Sequence, residues 1–253
     1  MEVHAHSHTP RNKWTHYLWE FIMLFLAVFC GFLAEYQLEH KIEKDREVQF
    51  IKSLIEDLKE DEAVILQNIS INRTRVAQMD SFLTIISNTD QLKQNGNNIY
   101  YMARMGPRIS MLTTNNKTYD QLKNSGSFRL IRKSETANEI MEYYNKLPLI
   151  KTLEALYFEE FTQYKSIASK LLDPLVLRSM EMPNGDIRRD ANNPQLRSTN
   201  PDLLKELGVY IVYLNGSTRS IVPLEEDLLV SSRKLIEYLK DKYHLSERTP
   251  LEK

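Results

Sequence analysis

The stretch WTHYLWEFIMLFLAVFCGFLAEYQLEH, Trp14 to His40, decides how the rest of the chain is read. Its centre, Phe21 to Ala34, is an unbroken apolar run of about 14 residues. A membrane span needs about 20 residues to cross about 30 Å of hydrocarbon, and the flanks here supply the difference. Trp14, Tyr17 and Trp19 precede the run and Tyr36 follows it. Tyr and Trp settle at headgroup level, ring inward and polar atom toward water, so these four residues read as two interfacial collars. Glu20 is the one carboxylate in the way. It stands at the edge of the span, near water and near the helix N-terminus, where the macrodipole favours a negative charge. The expectation is a membrane anchor over residues 14–37, preceded by a short polar tail over residues 1–13.

Two rival readings fit these residues less well. A buried helix of a soluble core would carry an apolar stripe, but this segment is apolar on all faces. A cleaved signal peptide would end in small residues, but Phe32-Leu33-Ala34 opens with a bulky one. Phe29 and Phe32 likewise argue against lipoprotein processing at Cys30. That sole cysteine also excludes an internal disulfide framework, and it reads as a small apolar residue in lipid. Ala27, Gly31 and Ala34 recur along the span, with Ala27 and Gly31 on one helix face. Such a stripe lets two backbones approach and is a candidate packing face for a second copy. Arg11 and Lys13 precede the span, while Lys41, Lys44 and Arg46 follow it. A literal count of basic residues leans toward a cytoplasmic C-terminus.

From Phe32 to Asn95 there is neither Gly nor Pro. Ile51, Ile55, Leu58, Ile65, Ile69, Val76, Met79, Leu83 and Ile86 keep a three-four alternation, with polar residues in the slots at Glu62 and Asn72. This period predicts a helix, near heptad spacing, that runs on from the span to about residue 88. At 1.5 Å per residue it would be about 110 Å long. Its apolar face can meet later helices of the same chain or a second copy. The amount of helical sequence that follows favours the same chain.

The remainder reads as helices over about 99–105, 118–125, 134–173 and 201–244, within an extramembrane region of residues 38–253. TDQLKQNGNN, 89–98, has the composition of a turn. Thr118 with Gln121 predicts a capping box, and Ser134 a further cap. Ser125-Gly126 reads as a helix end with the glycine closing it. Pro148 should kink or split the helix it falls in. Residues 174–200, rich in Pro, Asn and Arg, read as an exposed loop. LGVYIVYL, 207–214, followed by Asn215-Gly216, carries a hairpin signal over 207–222. A lone hairpin would have no sheet to join, so helix is preferred. The fold expected is all-α: a transmembrane helix continuing into a long helix packed in an antiparallel bundle.

Composition narrows function more than it identifies it. Of 253 residues, 33 are Lys or Arg and 34 are Asp or Glu, a formal charge of -1 that gives no electrostatic reason to expect nucleic-acid binding. Gly (7) and Pro (9) are too few for an all-β sandwich or barrel. His4, His6 and His8 could bind Zn, Cu or Ni weakly, but a short tail offers no preorganised geometry, and a solvated tail is expected. There is no H-E-x-x-H, no G-x-S-x-G, no phosphate-cradling glycine loop and no EF-hand loop. The acidic run Glu56, Asp57, Glu60, Asp61 and Glu62 reads as a solvated helix face. Tyr100-Tyr101 and Tyr143-Tyr144 read as core and rim. Four N-x-[ST] triplets, at Asn68, Asn72, Asn116 and Asn215, do not argue for a glycosylated domain, since roughly two arise from composition alone. No catalytic residue, cofactor or metal is therefore expected.

Three blocks carry a resemblance. The first is Glu20-Phe21 with Leu24 to Phe29 and Gly31 to Glu35. The second runs from Glu43 to Lys59, EKDREVQFIKSLIEDLK. The third is Tyr119, Leu122, Ser125-Gly126 and Leu130-Ile131, followed by Ile140 and Tyr143-Tyr144. Together they resemble an uncharacterised family of single-span bacterial envelope proteins. The resemblance covers most of the chain and matches least around residues 180–194. It implies no assigned activity, a cytoplasmic N-terminus and a helical domain on the periplasmic side of the inner membrane. The function expected is a membrane-tethered scaffold or protein-interaction domain, with the bilayer, a protein partner or a second copy as its contacts. The alternative is a ligand-sensing helical domain that works with a separate signalling partner.

Overall fold

The computed structural model describes residues 13–245 and is all-α, with no strand among them. Helix α1, Lys13–Ile86, is continuous over 74 residues. It is followed by α2 (Thr89–Gln94), α3 (Gly96–Met105), α4 (Lys117–Asn124), a 3-10 turn (Ser127–Leu130), α5 (Ser134–Tyr144), α6 (Leu147–Leu171), α7 (Pro174–Ser179) and α8 (Pro201–Lys242). The described residues divide into two compact units, one ending at Ile51 and the other beginning at Lys52.

In the first unit, α1 contains the one window among the described residues that is long and apolar enough to cross a membrane. Its mean hydropathy is 2.1, and none of it is buried. Phe21, Phe25 and Phe29 stack along one side of the helix at the four-residue spacing. His16 and Glu20 pair one turn apart at 3.3 Å.

The second unit has a conventional core. Met79, Phe82 and Ile86 of α1 meet Ile99 and Tyr100 of α3, Tyr157, Tyr164 and Leu171 of α6, and Leu207, Ile211 and Leu214 of α8. The periodicity of α1 is borne out there. Ile55, Leu58, Ile65, Ile69, Met79 and Ile86 are buried and Val76 and Leu83 half-buried, so the apolar stripe faces later helices of the same chain. α6 packs mainly against α8. Side chains also tie α1 to α8 in register: Ser232 Oγ donates to the Leu58 carbonyl at 3.3 Å, and Arg219 reaches Asp80 at 2.6 Å.

α8 settles the hairpin question. Leu207, Ile211, Leu214, Thr218, Ile221, Val222 and Glu225 are buried at spacings of three and four, a helical period. Asn215-Gly216 lies inside the helix, where Asn215 Nδ2 donates to Asp80 Oδ1 at 2.7 Å. Asn200 caps the helix by accepting from the Asp202 and Leu203 N–H groups, with Pro201 in the first turn, where its missing N–H costs nothing.

Several boundaries need correction. TDQLKQNGNN is not a turn: Asn88 caps α2 by accepting from the Asp90 and Gln91 N–H groups, and α3 follows after one residue. The 134–173 stretch is split, as Pro148 predicts, into two helices broken at Asn145-Lys146, with Pro148 in the first turn of α6. The 174–200 loop contains α7, capped by Asp173, and one isolated bridge between Glu181 and Ile187. Thr118 is not a cap, because α4 starts one residue earlier and no side chain of its own segment caps it. Ser134 is the first residue of α5, not a residue that caps it.

Ser125 and Gly126 do end α4. Ser125 Oγ donates to the Gln121 carbonyl at 2.5 Å, and Gly126 takes φ +67°, the left-handed region. The reversal brings Phe128 edge-on to Tyr119 at 5.8 Å, and Tyr119 stacks on Tyr144 at 3.9 Å. A Cβ at Gly126 would meet no atom within 4 Å, so the constraint is conformational and not steric. Gly126→Val should therefore destabilise the domain by about 1–2 kcal/mol, the cost of a left-handed L-residue. Thermal melting measures it, and an unchanged midpoint would contradict the assignment.

Candidate functional site

Residues 107–116 join α3 to α4 without regular structure, yet Pro107 and Leu112 are buried. Backbone groups buried in a segment with no helix or sheet of its own must find partners elsewhere. Side chains from α1 and α6 supply them. Tyr157 donates its hydroxyl to the Pro107 carbonyl. The Ser110 N–H donates to Asn72 Oδ1 at 2.8 Å, and its carbonyl accepts from Asn72 Nδ2 at 3.2 Å. The Ser110 hydroxyl donates to Asn68 Oδ1 at 2.7 Å. The Leu112 N–H donates to Glu154 Oε1 at 2.7 Å, and its carbonyl accepts from Lys151, which pairs with Glu154 at 2.9 Å. The Asn115 N–H donates to Asp61 Oδ1 at 2.6 Å. The Thr118 N–H, in the first turn of α4, donates to Asp57 Oδ2 at 3.0 Å. A carboxylate from α1 thus caps α4, doing from another element what Thr118 and Gln121 do not do locally.

The α1 residues in this seam are Asp57, Asp61, Asn68 and Asn72. They are separated by four, seven and four positions, so they share one helix face. The reading of Asp57 and Asp61 as a solvated face is corrected: both are buried, Asp61 accepting from the Asn115 N–H of the 107–116 strap and Asp57 from the Thr118 N–H of α4. Glu225 of α8 completes the seam from the far side. It is fully buried and accepts from Asn68 Nδ2 at 3.2 Å and from Asn72 Nδ2 at 3.4 Å. Burial pushes its carboxyl up to about 7, against the amide donors that pull it down and with neighbouring Glu154 adding to the rise. Burial likewise pushes Asp61 up to about 6, opposed by the Asn115 N–H and the Tyr143 hydroxyl. Desolvation also raises the Tyr143, Tyr144, Tyr157 and Tyr164 phenols far above their usual value, so they act only as hydroxyl groups.

Chemically, this arrangement builds structure. Its carboxylates hold backbone N–H groups and amides of the same chain. Several cavities lie in the second unit, none of them lined by these carboxylates, and two stand out. One is a 720 Å³ groove along Leu83, Leu204, Val209, Val212 and Tyr213. The other is a 440 Å³ pocket beside α3, α6 and α7. Asn68, Asn72 and Asn215 are buried, which takes three of the four N-x-[ST] triplets away from the surface.

The residues singled out in the N-terminal region fall as follows. His4, His6 and His8 lie outside the described residues. Trp14, Tyr17, Trp19 and Tyr36 are all more than half exposed on α1. Ala27, Gly31 and Ala34 are exposed on the same helix, and nothing lies within 4 Å of a Cβ placed on Gly31. Cys30 is a free, exposed thiol. Among the described residues, no group of three or more His, Cys, Asp or Glu side chains is placed to hold a metal ion. The buried seam was missed as a unit. Its one sequence signal was a polar residue, Asn72, in an apolar slot of the α1 stripe. No protein-family model, no curated protein and no solved structure matches this chain.

Proposed function

We propose that this chain is a membrane-anchored, non-enzymatic helical scaffold or protein-interaction domain of the bacterial cell envelope. The observation that carries the reading is the N-terminal part of α1, a window of hydropathy 2.1 with no residue buried by protein. In water such a surface is costly at about 25 cal/mol per Å², and a bilayer removes the cost. The aromatic residues at either end, Trp14, Tyr17, Trp19 and Tyr36, suit the two interfaces. The second unit supports a scaffold because its buried ionisable groups serve internal hydrogen bonds. Its α8 face leaves Val209, Val212 and Tyr213 more than half exposed, a surface suited to a protein partner. The N-terminus is assigned to the cytoplasm and the helical domain to the periplasm on the family resemblance.

Fractionation tests the anchor. The intact chain should stay with membranes through an alkaline carbonate wash, and a variant lacking residues 14–37 should move to the aqueous fraction. Recovery of the intact chain in the aqueous fraction, without detergent, would refute the reading. For orientation, Cys30→Ala with Lys170→Cys should react with a membrane-impermeant maleimide in intact spheroplasts. Labelling only after lysis would reverse the topology.

A further inference from the structure

The 440 Å³ pocket beside α3, α6 and α7 combines an apolar floor with a basic rim. Phe161, Ala168, Leu172 and Leu177 form the floor. Four basic side chains, Arg104, Arg108, Lys165 and Arg178, line it against one carboxylate, Glu181. Arg104 is already engaged: it pairs with Glu181 and donates to the Leu177 carbonyl. That leaves three cations facing one concavity. The chain as a whole balances 33 basic against 34 acidic residues, so this excess is local. Lys165 Nζ sits 4.7 Å from the centre of the Phe161 ring, which holds the ammonium over the apolar floor. Like charges lining one concavity repel, and a bound anion relieves that repulsion. Guanidinium groups present forked donors that match carboxylate and phosphate oxygens. A mostly apolar hollow with a few polar groups at its edge is the usual form of a small-molecule site.

We propose that this pocket binds a small amphiphilic anion: a carboxylate or phosphate head held by Arg108, Lys165 and Arg178, with an aromatic or short aliphatic body on Phe161 and Leu172. The inference goes beyond the anchored-scaffold reading and stands without it. The same head chemistry occurs on soluble metabolites and on anionic lipids, so the test carries an arm for each.

The full chain, in phosphatidylcholine nanodiscs, is titrated calorimetrically with 2-naphthyl phosphate, with dihexanoyl phosphatidic acid and with neutral 2-naphthol, each corrected against empty discs. Saturable binding of either anion, with 2-naphthol at least about tenfold weaker, is the expected result. The anion that binds more tightly identifies a soluble or a lipid source. Arg108→Ala with Arg178→Ala should weaken anion binding by about tenfold or more while leaving thermal melting unchanged, since both side chains are exposed. Should that variant melt early, Lys165→Glu provides the same reading from a third exposed position. The proposal fails if neither anion saturates, if 2-naphthol binds as well as the phosphate, or if the rim variants bind like the parent chain.

Discussion

Glu154→Ala should lower the stability of the helical domain by roughly 2–4 kcal/mol, and Glu154→Gln by only about 1 kcal/mol. Both substitutions remove the same charge, so the difference reports the lost hydrogen bond together with the cavity that alanine leaves. Glu154 is 1% exposed, and its Oε1 is the acceptor for the Leu112 N–H. Leu112 is fully buried and lies in a segment with no helix or sheet of its own, so water cannot stand in for the lost acceptor. Alanine leaves that N–H unpaired and opens a cavity, whereas glutamine keeps a carbonyl oxygen at the same reach. The ionic part of the loss is small, because the Lys151 side chain is 48% exposed and can turn to solvent while still donating to the Leu112 carbonyl. Chemical denaturation of the three proteins decides it. Equal stability of the alanine and glutamine variants would mean that the strap is not held through Glu154.

The strap also marks where sequence reading stopped. The apolar spacing of α1 was legible because a helix buries every third or fourth residue, and Ile55 through Ile86 followed that rule. Ser125-Gly126 was legible because only glycine adopts a left-handed helix end without cost. The seam was not. Its partners are far apart in the chain, as with Asn68 and Glu225, and residues 107–116 show no period of their own. Asp57 and Asp61 carry the same signature whether they face water or a backbone N–H from a distant segment. Asn88 reads in the sequence as the end of the first helix, but α1 stops at Ile86 and Asn88 begins the next. A side chain that accepts from the Asp90 and Gln91 N–H groups turns a loop composition into α2. In each case a tertiary hydrogen bond or a cap outweighed local composition.

That same seam should make the domain more stable at pH 5 than at pH 8, with Glu225→Gln removing much of the difference. In the folded chain Glu225 is pushed up to about 7 from 4.5, and Asp61 to about 6 from 3.8, each chiefly by burial. An acid whose folded value is raised holds its proton longer in the native state than in the unfolded one. As pH rises past about 4 the unfolded chain releases these protons first, so stability falls with pH until the folded groups have ionised as well. The loss is absent below the unfolded values and complete above about pH 7. Glu135 is shifted the other way by its hydrogen bond to Lys242, but its contribution falls away only at acid pH, below this window. Lys242 is raised from 10.5 and acts above it. Around Glu225 the groups that tune the effect are the Asn68 and Asn72 amides on α1, and Glu154 with Lys151 on α6. Glutamine reproduces the protonated form, one oxygen accepting from Asn68 and no charge to desolvate. At pH 8 Glu225→Gln should therefore melt above the parent chain, and at pH 5 the gap should be much smaller. Melting followed by tyrosine near-UV circular dichroism, at pH 5, 6, 7 and 8, gives both curves. Parallel curves would show that the Glu225 carboxylate is ionised at little cost and that the seam is not dry.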